Sequence, residues 1–182
     1  GSASLLEQLK TRFIRSVVKS RLPQFLADIV ASREKERSEF GATTQQLEPD
    51  VKRSLGGLRD LHLIRWIGFA RYGAGDIDSL RLQSAITKDE ARRLLHAHEF
   101  LIGLRVDLHL AAGKEQDTLS RDDQLRISRL RNVSSSEGQL PVERFMQEYF
   151  QHSSVVADLA RRLIERTRSK PLLNRATDYL MS

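Results

Sequence analysis

The sequence predicts an all-α fold: a helical bundle of about four to five long helices, with a Gly-Gly motif loop leading into a central one. Apolar residues recur at three- and four-residue spacing along most of the chain, the signature of one-sided helices. Four prolines and ten glycines are too few for the many turns of a β-sandwich. Hydrophobic residues at 40% and charged residues at 30% fit a largely helical chain whose outer faces meet water. At 182 residues there is room for one medium domain with a real core, or a compact domain plus a projecting arm.

The first helix is expected over about Ser4 to Leu22, with Ser4 as its cap. Leu5, Leu6, Leu9, Phe13, Val17 and Leu22 form its apolar stripe. Gly1-Ser2 reads as a cloning scar and is left out of the fold. Pro23 interrupts or restarts the helix, because it has no N–H to donate. Phe25, Leu26, Ile29 and Val30 carry a second apolar face. Beyond them Arg33, Glu34, Lys35, Glu36, Arg37 and Glu39 alternate in sign, which predicts a solvated helix end, with a docking surface as the functional alternative. Residues 1–40 are expected to form a helical lead-in, 41–170 the bundle domain and 171–182 a tail.

After the polar stretch Gly41 to Gln46 comes the segment that organises the rest: Glu48-Pro49-Asp50-Val51-Lys52-Arg53-Ser54-Leu55-Gly56-Gly57-Leu58-Arg59-Asp60-Leu61-His62. Pro49 holds Glu48 in extended geometry, so no helix runs through this point. Gly56 and Gly57 permit backbone angles or close approaches that other residues resist. Leu58, Leu61, Ile64, Ile67 and Ala70 then recur at helical spacing up to Gly73-Ala74-Gly75. The plain reading is a connection whose glycines let the chain turn. The functional reading is a basic loop feeding a helix N-terminus, where free N–H groups and the dipole favour an anion. The spacing is neither that of a Walker loop nor that of a dinucleotide fingerprint.

Trp66, Phe69 and Tyr72 on that helix read as core packing in preference to a base-stacking platform. Asp76 to Ala85 predicts a short helix or turn. Thr87-Lys88-Asp89-Glu90 has capping-box spacing, and Leu94, Leu95, Leu101, Ile102, Leu104, Leu108 and Leu110 continue a long helix to Gly113. A short helix follows over Asp122 to Leu130, then a Ser- and Gly-rich loop from Asn132 to Gln139. Pro141 suits the first turn of a last long helix reaching about Arg168. Phe145, Met146, Tyr149, Phe150, Val156, Leu159, Leu163 and Ile164 are its buried side, and Arg161, Arg162, Arg166 and Arg168 favour its C-terminal dipole.

A formal charge of +6 makes an anionic partner plausible, although arginine-rich helices give the same balance without one. With no cysteine there is no disulfide scaffold or thiolate metal site. No apolar run approaches membrane-spanning length and no signal segment is present, so a cytoplasmic chain, or a piece cut from one, is expected. His96 and His98, two apart, do not share a helix face. His109 and Arg105, four apart, do, with Asp107 pointing elsewhere. No His-Glu-x-x-His or His-Asp motif occurs, and no metal site is expected.

Glu48-Pro49-Asp50-Val51-Lys52, followed by Gly56-Gly57-Leu58-Arg59-Asp60-Leu61-His62, resembles the bacterial PII uridylyltransferase/uridylyl-removing enzyme family. Arg53-Ser54-Leu55 stands where that family usually has an acid or small residue and then glycine or serine. The run Arg105-Val106-Asp107-Leu108-His109-Leu110 through Gly113, Asp117, Leu119 and Gln124 is similar to a second family run. Pro141 through Phe150 is similar to a third, in the same order and separation, so the likeness covers about residues 40 to 168. No Gly-Ser loop with an Asp-x-Asp magnesium pair accompanies them; Asp76-Ile77-Asp78 has no strand pattern around it.

The resemblance implies a helical accessory domain beside the catalytic nucleotidyltransferase domain of an enzyme that uridylylates PII signalling proteins and reports nitrogen status. It implies no catalytic residue and no cofactor in this chain, with magnesium and UTP belonging to the whole enzyme. Lys52, Arg53 and Arg59 are then candidates to face a nucleotide triphosphate, with Gly56 and Gly57 shaping the loop. Glu48 and Asp60 would pair with those bases and hold the loop, while His62 would pack or support it. The alternative is a non-catalytic helical adaptor contacting nucleic acid or a protein, including a divergent stand-alone form. Nucleic acid is the weaker choice, because the basic residues are scattered over several helices without a recognition-helix signature.

Overall fold

The computed structural model of the chain describes residues 2–13, 16, 20–40, 43–73, 75–131 and 138–169. These form α1 (Ser2–Phe13), α2 (Leu22–Phe40), α3 (Leu58–Tyr72), α4 (Ile77–Leu82), α5 (Lys88–Ala112), α6 (Arg121–Leu130) and α7 (Pro141–Ser169). No strand occurs among the described residues; an antiparallel bridge joins Asp50 and Thr118. The all-α bundle is what the periodicity predicts. The continuation of the first helix through Val17, most of the 132–139 loop and the 171–182 tail lie outside the described residues.

The spine is α7, which packs against α3, α5 and α6. Its Phe145, Tyr149, Val156, Leu159, Ala160, Leu163 and Ile164 are buried at heptad-like spacing. α5 contributes Ala91, Leu94, Ala97, Leu101, Leu104 and Leu108, and α3 contributes Leu58, Leu61, Ile64, Ile67 and Ala70. α2, in the stretch read as a lead-in, lies against α3 and adds Leu22, Leu26 and Val30 to the same core. α1 leaves Leu5, Leu9 and Phe13 exposed.

Helix limits follow from local chemistry. Thr87 accepts from the Glu90 amide while the Glu90 carboxylate accepts from the Thr87 amide, a full capping box at the start of α5. Such a cap is worth about 1 kcal/mol. Gly73 and Gly113 end α3 and α5 in the left-handed conformation. The Ser120 side chain caps α6 by accepting from Asp123.

Three readings of helix faces need correction. Leu95, Ile102 and Leu110 lie on the outer face of α5, because a helix this long presents only one stripe to α7. Trp66 is half exposed, edge-on to Phe25 and Phe69. The charge run on α2 is not simply solvated: Arg33 is 5% exposed.

Candidate functional site

The motif loop is built from short turns. Ser54 donates its amide to the Asp50 carbonyl at 2.9 Å, and Gly57 to the Ser54 carbonyl at 2.9 Å. The Asp50 carboxylate accepts the amides of Lys52 (2.9 Å) and Arg53 (2.6 Å), the side-chain-to-backbone closure that makes Asp a turn former. Gly56 has φ +79°, and a Cβ there would lie 2.0 Å from the carbonyl oxygen of Ser153 on α7. Glycine is therefore required twice at this position, for its left-handed backbone and for the close approach of a neighbouring helix. A Cβ at Gly57 would meet the Val51 carbonyl at 2.7 Å, inside the turn itself.

The start of α3 is already satisfied from within. Leu58, Arg59 and Asp60 donate their amides to the carbonyls of Val51, Lys52 and Gly57 at 2.9–3.0 Å. Free amides awaiting an external anion, expected from the sequence, are thus replaced by a closed turn. The anion at this helix start is the chain's own Asp60, whose carboxylate accepts the Gly56 amide at 2.7 Å. Asp60 is fully buried and takes Arg33 Nε and Arg37 Nη2, each at 2.7 Å, on its other oxygen. Arg33 also donates to the Arg53 and Ser54 carbonyls, so α2 clamps the loop through one guanidinium. Asp60 therefore holds the loop by pairing with α2, not with Lys52, Arg53 or Arg59.

A second loop, residues 113–120, closes over the first. Val51 donates to the Asp117 carbonyl (2.8 Å) and Leu119 to the Pro49 carbonyl (2.9 Å). Glu48 accepts the Arg121 amide at the start of α6 (2.9 Å), and Gln124 donates to the Leu47 carbonyl (2.7 Å). Glu48 thus ties the motif to α6.

Where the two loops meet, cations gather around two carboxylates. Asp117 accepts from Arg105 Nε at 2.6 Å, sits 3.1 Å from His109 Nε2 and pairs with Lys52 Nζ at 3.2 Å. Burial pushes its carboxyl upward, but hydrogen bonds from Arg105, His109 and Lys52 together outweigh that and hold it down at about 2. Glu115, on the outer side, is 2.7 Å from Lys52 Nζ and 3.6 Å from Arg105 Nη2. Arg105 and His109 share a helix face as their spacing predicts, and Asp107 points away to Arg131.

The remaining sequence candidates lie toward α2. Arg53 lies over the Phe40 ring at 4.6 Å, and Arg59 reaches Glu36 at 3.5 Å. His62 and Arg59 line a groove of about 380 Å³ with Phe25, Ile29, Glu36 and Trp66. The His62 imidazole is held below its ordinary range, first by partial burial and then by Arg59, Arg65, His98 and Arg105. Among the described residues no group of three or more His, Asp or Glu side chains could hold a metal ion. Asp76 caps α4, and Asp78 faces Arg81.

Sequence reasoning did not assign a role to Arg33, Arg37, Glu115 or Asp117. Only Asp50, two and three residues before the amides it accepts, carried a local turn signal. The others act through long-range pairs that no spacing rule reaches: 27 residues separate Arg33 from Asp60, and 63 separate Lys52 from Glu115.

The model of the GlnD PII-uridylyltransferase family matches residues 24–164. The chain is similar to the bifunctional uridylyltransferase/uridylyl-removing enzyme of Rhodospirillum rubrum, 33% identical over 97% of this chain and 19% of that protein. The enzyme of the same name from Azospirillum brasilense is 34% identical over 88% of this chain and 17% of its own length. That from Pseudomonas savastanoi is 35% identical over 74% of this chain and 15% of its own. The chain thus spans about a fifth or less of the curated relatives it matches. No solved structure matches it.

Proposed function

The chain belongs to the PII-uridylyltransferase family, as a partial helical domain, and we propose that it works there on the nucleotide side of the catalytic nucleotidyltransferase domain. The whole enzyme would transfer uridylyl groups from UTP, with magnesium, to a PII signalling protein in nitrogen regulation. In this reading the metal and the transfer belong to the catalytic domain. This chain's part is to present cations from a rigid loop.

The observation that carries this reading is the closure of the motif loop by Asp60, Arg33 and Gly56, which fixes the backbone of Lys52 and Arg59 around the start of α3. A cation whose backbone is already ordered binds phosphate without a further loss of chain entropy. In this reading Lys52, Arg53 and Arg59 face the triphosphate, Gly56 and Gly57 set the loop's path, and Glu48, Asp60 and His62 support it. No described helix is long and apolar enough to cross a membrane.

Calorimetric titration with UTP and ATP, with and without magnesium, tests it. Weak binding that falls in both Lys52→Ala and Arg59→Ala is expected. No binding at millimolar nucleotide, or binding indifferent to both substitutions, would remove the assignment.

A further inference from the structure

We propose that Lys52 and Arg105 form a phosphoryl-anion site that Glu115 occupies as an internal stand-in. One oxygen of Glu115 sits between two cationic nitrogens, 2.7 Å from Lys52 Nζ and 3.6 Å from Arg105 Nη2. That is where a phosphate oxygen bridging the two side chains would sit.

The two carboxylates of the cluster are not equivalent. The Asp117 side chain is 6% exposed and its backbone is stitched to Val51, so it cannot leave without opening both loops. Glu115 is 64% exposed, and neither of its two ion pairs is buried. An exposed pair of this kind contributes little and is readily exchanged. Displacing Glu115 leaves Asp117 holding Arg105 by Nε, which turns the freed Nη2 outward. Lys52 stays in place because its amide bonds Asp50 and its carbonyl accepts from Arg59. Both cations are therefore set before the ligand arrives.

The ligand class is a polyphosphate chain, free or as part of a nucleotide. A monovalent carboxylate already competes for the site, and only an anion of higher charge gains by replacing it. The proposal rests on the nucleotide-side reading only for where that chain comes from.

The test is calorimetric titration of the 182-residue chain with sodium tripolyphosphate at low salt and without magnesium. The proteins are the parent, Glu115→Gln, Lys52→Met and the double variant. Glu115 is exposed, so its substitution keeps the fold. Removing one repelling charge about 4 Å from the ligand is expected to tighten binding about fivefold. Lys52→Met weakens it, and the gain from Glu115→Gln disappears in the double variant. Equal or weaker binding by Glu115→Gln overturns the proposal, as does a gain that survives without Lys52, or no binding to either protein at millimolar ligand. UTP and ATP form the second arm. Tripolyphosphate taken up by Glu115→Gln while both nucleotides are refused leaves this site standing and removes the nucleotide-side reading. UTP binding sensitive to Arg59→Ala but indifferent to Glu115→Gln does the reverse.

Discussion

Asp60→Asn removes one charge from the centre of the loop clamp while keeping the side chain's shape. Asp60 is 0% exposed, Arg33 5% and Arg37 16%, so neither guanidinium can turn fully to water. Breaking a buried ion pair by removing one partner costs about 3–5 kcal/mol, because the other charge stays buried. Arg33 keeps the Arg53 and Ser54 carbonyls and Glu36, which places the expected loss near the lower end, at about 3 kcal/mol. With a urea m-value of about 2 kcal/mol/M, the midpoint falls by about 1.5 M. Urea unfolding followed by circular dichroism reads this directly, and m should not change. A midpoint shift under about 0.5 M for Asp60→Asn would mean that water reaches the cluster, and the clamp argument would fall.

Two other predictions test the loop from different sides. Gly56→Ala meets both a left-handed backbone and the Ser153 carbonyl, so it should destabilise by about 3 kcal/mol or more. Gly113→Ala has the same sign of φ with nothing within 4 Å and should cost only about 1 kcal/mol; equal losses in thermal unfolding would show that the contact with α7 is not tight. Asp117 is held at about 2 against an ordinary 3.8, so its contribution is full above pH 4 and fades as pH falls from there toward 2. The parent should therefore exceed Asp117→Asn by about 1–2 kcal/mol at pH 6, after allowing for solvent screening, and the gap should close near pH 2. A gap that stays constant across urea titrations at pH 6, 4 and 2.5 would contradict the ion-pair account.

Much of the fold was legible because it depends on neighbours in sequence. The capping box at Thr87 and Glu90, the glycine stops at Gly73 and Gly113, and the Pro141 start involve residues within one helical turn. The buried stripe of α3 follows from three-residue spacing alone. The charge run on α2 was misread for the same reason. Alternation in sign describes a helix surface, yet cannot say that Asp60, 27 residues on from Arg33, will be folded beneath it.

The sequence by itself determined the helices, their approximate limits and the family to which they belong, since periodicity, caps and three motif runs are local patterns. Only the tertiary structure decided what the motif residues touch. Gly56 is small because α7 passes over it; Asp60 is an acid because α2 brings two arginines to it. Lys52, Arg105 and His109 converge on Asp117 because two loops pair through Val51 and Leu119. Electrostatic partners are chosen by distance in space, and chain spacing carries no record of it.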